Sequence, residues 1–299
     1  MTETLQDLVA SFLRHLRAQG RAPRTGELYA QSLRFYSDWL AAQGQEATLD
    51  NFTREHVSQW LASLLDSGRE PSTVAARFRG LRRFANWLVA EEIIDKSPLA
   101  GMSPPQAPQR PVPLLSDDEL RRLLRACHGR GFNERRDEAI FRVLIDTGIR
   151  VSELCGLTVD TVDLDAEMAI VEGKGSKRRA VYLSPKTVAA LDRYERLRRR
   201  HRYAHEPALF LGKRGPLTPD GIRQICELRA EQAGLGRRVH PHMFRHTAAH
   251  WFLLHGGNER DLKRLMGWSS DAMLETYATS GADYRAREAV KRMRPGDRV

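Results

Sequence analysis

With 299 residues, 41% hydrophobic and 29% charged side chains, the chain is long enough for two globular domains, each with its own core. No apolar run approaches the ~18 residues a membrane helix needs, and the acidic, then amphipathic N-terminus does not read as a signal peptide. The net charge is +10, yet residues 1–100 hold 12 Lys/Arg and 12 Asp/Glu, so the basic excess lies in residues 101–299. Such an excess favours a polyanionic partner, because each neutralised phosphate releases counterions. Cys127, Cys155 and Cys226 are odd in number, widely spaced and without a CxxC. That argues against a disulfide framework or a cysteine zinc site and fits a reduced cytoplasm.

The first 100 residues carry four helical patterns. Residues 4–19 place Leu5, Leu8, Val9, Phe12, Leu13 and Leu16 on one face. Residues 25–42 repeat the spacing with Tyr29, Leu33, Tyr36, Trp39 and Leu40, after Thr25 as expected N-cap. Residues 54–67 offer Val57, Trp60, Leu61, Leu64 and Leu65, and residues 72–90 offer Phe78, Leu81, Phe84, Ala85, Trp87 and Leu88. On that fourth helix Arg77, Arg79, Arg82 and Arg83 lie largely off the apolar side. They suit a DNA phosphate backbone, and equally a merely solvated face.

Residues 101–115 hold five prolines and read as an extended interdomain linker between a helical domain, 1–100, and a larger domain, 116–299. Ser116-Asp-Asp-Glu119 is a capping box opening a helix, and residues 133–147 predict a second. Between 159 and 183 the period changes. Met168–Val171, a Gly173-Lys-Gly-Ser-Lys177 turn and Arg179–Leu183 predict a β-hairpin. Helical patterns return at 185–200, 219–233, 242–256, 258–266, 270–278 and 281–294. The fold class is therefore mainly α with a small antiparallel β-sheet.

Four segments carry candidate chemistry. In Thr147-Gly-Ile-Arg-Val-Ser-Glu153, Arg150 opens a helix, where the macrodipole is already positive. An anionic ligand would justify it, although a surface pair with Glu153 would also account for the spacing. Lys174 sits between two glycines on the hairpin turn, presented to a backbone or as a proton donor; a plain surface turn has the same look. In His242-Met-Phe-Arg-His246, His242, Arg245 and His246 share a helix face, and an arginine beside a histidine suits phosphoryl chemistry. His242, His246 and His250 also step by four, as metal ligands do, but no acidic residue lies within 240–255. The last segment, Leu265-Met-Gly-Trp268, precedes Tyr277 by nine residues.

Taken in order, these four segments resemble the catalytic domain of the tyrosine site-specific recombinases of phage-integrase type, over residues ~115–280. The helical domain resembles that family's SAM-like core-binding domain. The resemblance implies Tyr277 as nucleophile, Arg150 and Arg245 as the pair gripping the scissile phosphate, Lys174 as donor to the leaving 5′-oxygen and His242 as acid/base. Trp268 occupies a position that is histidine in many members and tryptophan in others. Glu153 and His246 would orient these groups, and Lys177 would touch DNA. It further implies double-stranded DNA with specific core sites as partner, a homotetramer on DNA, room for an accessory directionality factor, and no metal, ATP or other cofactor. A cytoplasmic enzyme working at the nucleoid is expected. Trp268 inclines the reading towards an integrase of a phage or mobile element, with a Xer-type dimer resolvase as the alternative. A type IB topoisomerase, a non-catalytic DNA-binding protein on the same scaffold and a metal-dependent hydrolase are the rivals.

Overall fold

Thr4 accepts a hydrogen bond from the Asp7 backbone and caps the first helix, α1 (Leu5–Ala18), which buries Leu5, Leu8, Phe12 and Leu16. The computed structural model describes residues 4–105, 113–173 and 177–271, together with 274, 287, 290 and 291. The chain divides into two units, residues 1–110 and 111–299. In the first, α1 is followed by α2 (Pro23–Ala42), α3 (Arg54–Asp66) and α4 (Pro71–Ala90). Thr25 does not cap α2. The helix begins earlier, on Pro23, because a proline in the first turn lacks only an N–H that would have no intrahelical partner. Pro71 starts α4 in the same way.

The core of this unit is aromatic: the Tyr36 ring meets Trp60 edge-on at 5.3 Å and Phe12 meets Phe84 at 5.5 Å. Gly80, inside α4, lets α4 approach α2 closely. A Cβ there would stand 2.9 Å from Ser32 Cβ.

The second unit runs α5 (Asp117–Ala126), α6 (Phe132–Thr147), α7 (Val151–Cys155), a 3-10 turn (Val159–Thr161), β1 (Val162–Asp163), β2 (Met168–Glu172), β3 (Arg178–Tyr182), α8 (Pro185–Arg198), β4 (Leu211–Gly212), β5 (Gly215–Pro216), α9 (Pro219–Gln232), α10 (Pro241–Leu254) and α11 (Glu259–Met266). The Ser116–Glu119 capping box closes in both directions. Strands β1, β2 and β3 form one antiparallel sheet in that order, with Ile170 opposite Ala180. The β4–β5 hairpin escaped sequence reading, since two-residue strands show no alternation. Of the helices expected at 270–278 and 281–294, Ser270 and Asp271 are not helical, Leu274, Arg287, Val290 and Lys291 are, and the other positions lie outside the described residues. Among the described residues no helix is long and apolar enough to cross a membrane.

Two buried devices hold this unit together. Asp137 of α6, 1% exposed, receives Nε of Arg136 at 2.8 Å and both Nε and Nη2 of Arg229 at 2.9 and 2.7 Å. This ties α6 to α9, and Arg229 also reaches the Ala126 carbonyl at the end of α5. The second device anchors the segment before α5 to α10: the Leu115 backbone N–H donates to Thr247 Oγ1 at 2.9 Å, and Arg237 donates to the Leu114 carbonyl at 2.6 Å.

Candidate active site

The site grows from the end of α6. Gly148 ends that helix in the left-handed region, at φ 56°, where glycine alone carries no Cβ penalty. Two residues on, Arg150 starts α7 and Glu153 folds back over it. The Glu153 carboxylate accepts from the Arg150 backbone N–H and from its Nη1, each at 2.8 Å. The Arg150–Glu153 pair thus exists, but it is no surface pair: the Glu153 side chain is 2% exposed while Arg150 keeps about a third of its surface. Burial would raise the Glu153 carboxyl, but hydrogen bonds and charge from Arg179 and Arg150 outweigh it and hold the group below the usual carboxylate range.

Helix α10 supplies the second guanidinium. Arg245, 3% exposed, donates Nη1 to the Gly148 carbonyl at 2.8 Å and Nη2 to the Met266 carbonyl at 2.7 Å. Its charged carbon also stands 5.7 Å from the centre of the Trp268 ring. His242 is exposed one turn earlier and His246 half-buried one residue later, their rings nearly parallel at 5.9 Å. Desolvation, followed by the charges of Arg245, His240, Arg150 and Arg223, holds His242 below its ordinary value. Desolvation, then His242 and Arg245, pushes His246 down to about 4. Both imidazoles are therefore neutral near pH 7 and able to accept a proton.

The turn after α11 joins these pieces. Gly267 ends α11 at φ 61°, and its carbonyl accepts Arg150 Nη2 at 3.4 Å. Trp268 is 6% exposed and packs with Leu262, Met266, Ala249, Leu253 and Leu274. The site thus draws on the starts of α7 and α10 and the end of α11, and its two arginines meet the carbonyls of consecutive residues. Two guanidiniums and a neutral imidazole arranged this way can bind a phosphate and stabilise added negative charge upon it.

The phage integrase family model matches residues 113–283, and the model of the phage integrase N-terminal SAM-like domain matches residues 9–92. The chain belongs to the phage integrase family. It is a tyrosine recombinase, an enzyme of site-specific recombination. Its curated relatives include the tyrosine recombinase XerC of Halalkalibacterium halodurans, 30% identical over 96% of this chain and 97% of that one. The tyrosine recombinase XerD of Bifidobacterium longum is 29% identical over 94% and 98% respectively. Among solved structures, the XerH recombinase bound to a palindromic difH substrate matches with a TM-score of 0.76 and 19% identity, covering 91% of this chain and 81% of that one. The Tn1549 transposon integrase bound to transposon right-end DNA gives 0.74 and 20%, covering 98% and 99%. At these identities the structures speak for the fold, a mainly helical chain with a small antiparallel sheet.

Of the residues expected at the recombinase site, Arg150, Glu153, His242, Arg245, His246 and Trp268 come together in the second unit. Lys174 and Tyr277 lie outside the described residues. Lys177, beside the hairpin turn, is exposed, and its carbonyl accepts from Gly173 N–H at 2.9 Å. The four α4 arginines do not act alike. Arg79 and Arg82 are exposed, whereas Arg77 turns to α2, donating to Gln31 at 2.9 Å and lying 4.6 Å from the Phe35 ring centre. Arg83 reaches Gln19 at 3.2 Å.

His242, His246 and His250 do not complete a metal cluster, and no group of three or more His, Cys, Asp or Glu suited to a metal occurs among the described residues. Sequence reasoning missed Arg179, which binds Glu153 and the Leu265 carbonyl. Its place in an alternating strand offers no sign of a role.

Proposed function

We infer that this recombinase cuts and rejoins duplex DNA at specific core sites through a 3′-phosphotyrosyl link at Tyr277. The reading is carried by one observation: Arg150 and Arg245, from separate helices, donate to the carbonyls of Gly267 and Met266 respectively, ten and eleven residues before that tyrosine. In the reaction the Tyr277 oxygen bonds to phosphorus and its phenolic proton passes to His242. The bond from phosphorus to the 5′-oxygen breaks, and Lys174 protonates the departing oxygen. Arg150 and Arg245 hold the non-bridging oxygens, whose charge grows in the transition state. A 5′-hydroxyl of the partner duplex then reverses the steps, so the phosphodiester energy is kept in the covalent link without ATP. Glu153, His246 and Trp268 orient these groups, while Lys177 and the α4 arginines Arg79 and Arg82 serve the DNA backbone.

Four protomers on paired sites and an accessory directionality factor follow from the same family reading. Trp268 favours an integrase of a mobile element, while a Xer-type resolvase fits the curated relatives, which include XerC and XerD recombinases.

Covalent capture is the test. Nicked duplexes with a randomised core of ~30 base pairs, about two half-sites, are incubated with the protein, denatured, and the adducts sequenced. The wild type should yield adducts on a defined sequence and Tyr277→Phe none. Adducts that persist in Tyr277→Phe and vanish in Tyr284→Phe would move the nucleophile elsewhere. Relaxation of any supercoiled plasmid, without a preferred site, would point to a topoisomerase instead.

A further inference from the structure

Arg179 has no part in the chemistry above, yet it is bound both to Glu153 and to the turn after α11. Its Nη1 and Nη2 donate to the two Glu153 oxygens at 3.0 and 2.9 Å, and its Nε donates to the Leu265 carbonyl at 2.7 Å. The side chain is only 13% exposed. Added to the two donations from Arg150, these fill all four lone-pair positions of the Glu153 carboxylate. The guanidinium also lies against the turn itself, since a Cβ on Gly267 would stand 3.0 Å from Arg179 Nη1.

Charge makes the arrangement consequential. A buried carboxylate facing one guanidinium would cancel it, leaving Arg150 spent on its own neighbour. With two guanidiniums on one carboxylate the cluster keeps a net positive charge, and Arg150, the more exposed of the two, is the one that can offer it to a ligand.

We propose that Arg179 is a positioning residue for phosphoryl transfer: it neutralises Glu153 so that the charge of Arg150 remains available to the scissile phosphate, and it pins the Leu265–Gly267 turn that receives both phosphate-gripping arginines. The proposal rests on the recombinase reading above. It differs from a plain structural role in acting through the charge that Arg150 delivers, and that difference is measurable.

The test compares wild type, Arg179→Gln and Arg179→Lys on the nicked duplex captured by the wild type, in three forms. One has all phosphates, one a neutral methylphosphonate at the scissile position, and one a 5′-bridging phosphorothiolate whose leaving thiolate needs no proton. On the all-phosphate duplex Arg179→Gln should cleave ~10²-fold more slowly, the scale of losing one preorganised donor, with DNA binding retained. On the methylphosphonate duplex the deficit should shrink at least severalfold, because one non-bridging oxygen no longer carries charge. The phosphorothiolate should leave it intact. Arg179→Lys, which keeps the charge but not the fork, should fall between.

An equal deficit on phosphate and methylphosphonate would reduce Arg179 to a structural prop, and rescue by the phosphorothiolate would assign it to the proton donor; either overturns the proposal. Should Arg179→Gln fold poorly, Glu153→Gln/Arg179→Gln removes both charges together. In that background the Arg179 change should cost little cleavage, and an undiminished cost would also refute the proposal. Failure of the wild type itself to form an adduct would count against the recombinase reading instead.

Discussion

Arg245 and Gly148 are joined by a hydrogen bond of 2.8 Å from Nη1 to the backbone carbonyl, in a position where the guanidinium is almost wholly buried. The same side chain donates its other terminal nitrogen to Met266, so the end of α6, helix α10 and the turn after α11 are held by one residue. Arg245 is thus a structural tie, and in the proposed reaction it also holds the phosphate, so its substitution should be felt in both stability and cleavage.

Arg245→Ala leaves two buried carbonyls without their donor, which costs about 1–3 kcal/mol for each such group. Cleavage should fall by ~10²–10³-fold, while DNA binding persists through the remaining phosphate contacts. Arg150→Ala, at a more exposed position, should lose cleavage to a similar degree with a smaller stability change. Urea unfolding beside single-turnover cleavage separates the two effects. Full cleavage in either variant would remove that arginine from the reaction.

Gly148→Ala should lower stability by about 1–2 kcal/mol for the left-handed backbone alone. A further loss is expected because the new Cβ would stand 2.9 Å from Met266 Cε and 3.0 Å from Ala248 Cβ. Since the Gly148 carbonyl receives Arg245, the variant should also cleave more slowly than its stability loss explains. A thermal melt indistinguishable from wild type would contradict the strain.

Two of the α10 histidines, His242 and His246, make separate pH predictions. His242 lies below its ordinary value of 6.5, so a neutral imidazole acting as proton acceptor keeps cleavage active below that pH. At subsaturating DNA the rate should decline only as pH falls through the depressed value, and His242→Gln should abolish that limb. His246, pushed down to about 4, binds its proton more readily in the unfolded chain. Its contribution to stability is thus present above pH 6.5 and lost as pH falls from 6.5 towards 4. His246→Gln should flatten stability against pH in that window, and an unchanged slope would refute the assignment.

Asp137→Ala strands two buried guanidiniums, Arg136 and Arg229, and should destabilise the second unit by about 3–5 kcal/mol. Asp137→Asn keeps part of the hydrogen bonding and should cost less. Denaturant midpoints order the series, and an Asp137→Ala protein as stable as wild type would show that the cluster is dispensable.

The α4 arginines should divide by exposure. Removing Arg79 or Arg82 should each lower the slope of log affinity against log salt by about 1, with little effect on folding. Removing Arg77 should chiefly destabilise the helical unit, because its guanidinium is committed to Gln31 and the Phe35 ring. Equal salt slopes for Arg79→Ala and wild type would take that residue off the DNA.

Much of this protein is legible in its sequence. Apolar spacing marks α1 to α4, because burial of one face is a local, periodic property. The Ser116–Glu119 box and the β2–β3 hairpin are likewise written within a few residues of each other, and the motif order was enough to mark the recombinase resemblance. Tertiary structure alone decided the rest. The start of α2 at Pro23 overrode a plausible cap, and the four α4 arginines parted according to whether Gln31 of α2 or Gln19 after α1 lay within reach. Glu153 could have been a surface partner of Arg150; its burial and its second guanidinium come from β3 and the α11 turn, 26 and more than 110 residues away. Such a network has no period and no spacing, because its members are neighbours only in space, and a charge shared among them appears in the sequence as unrelated arginines.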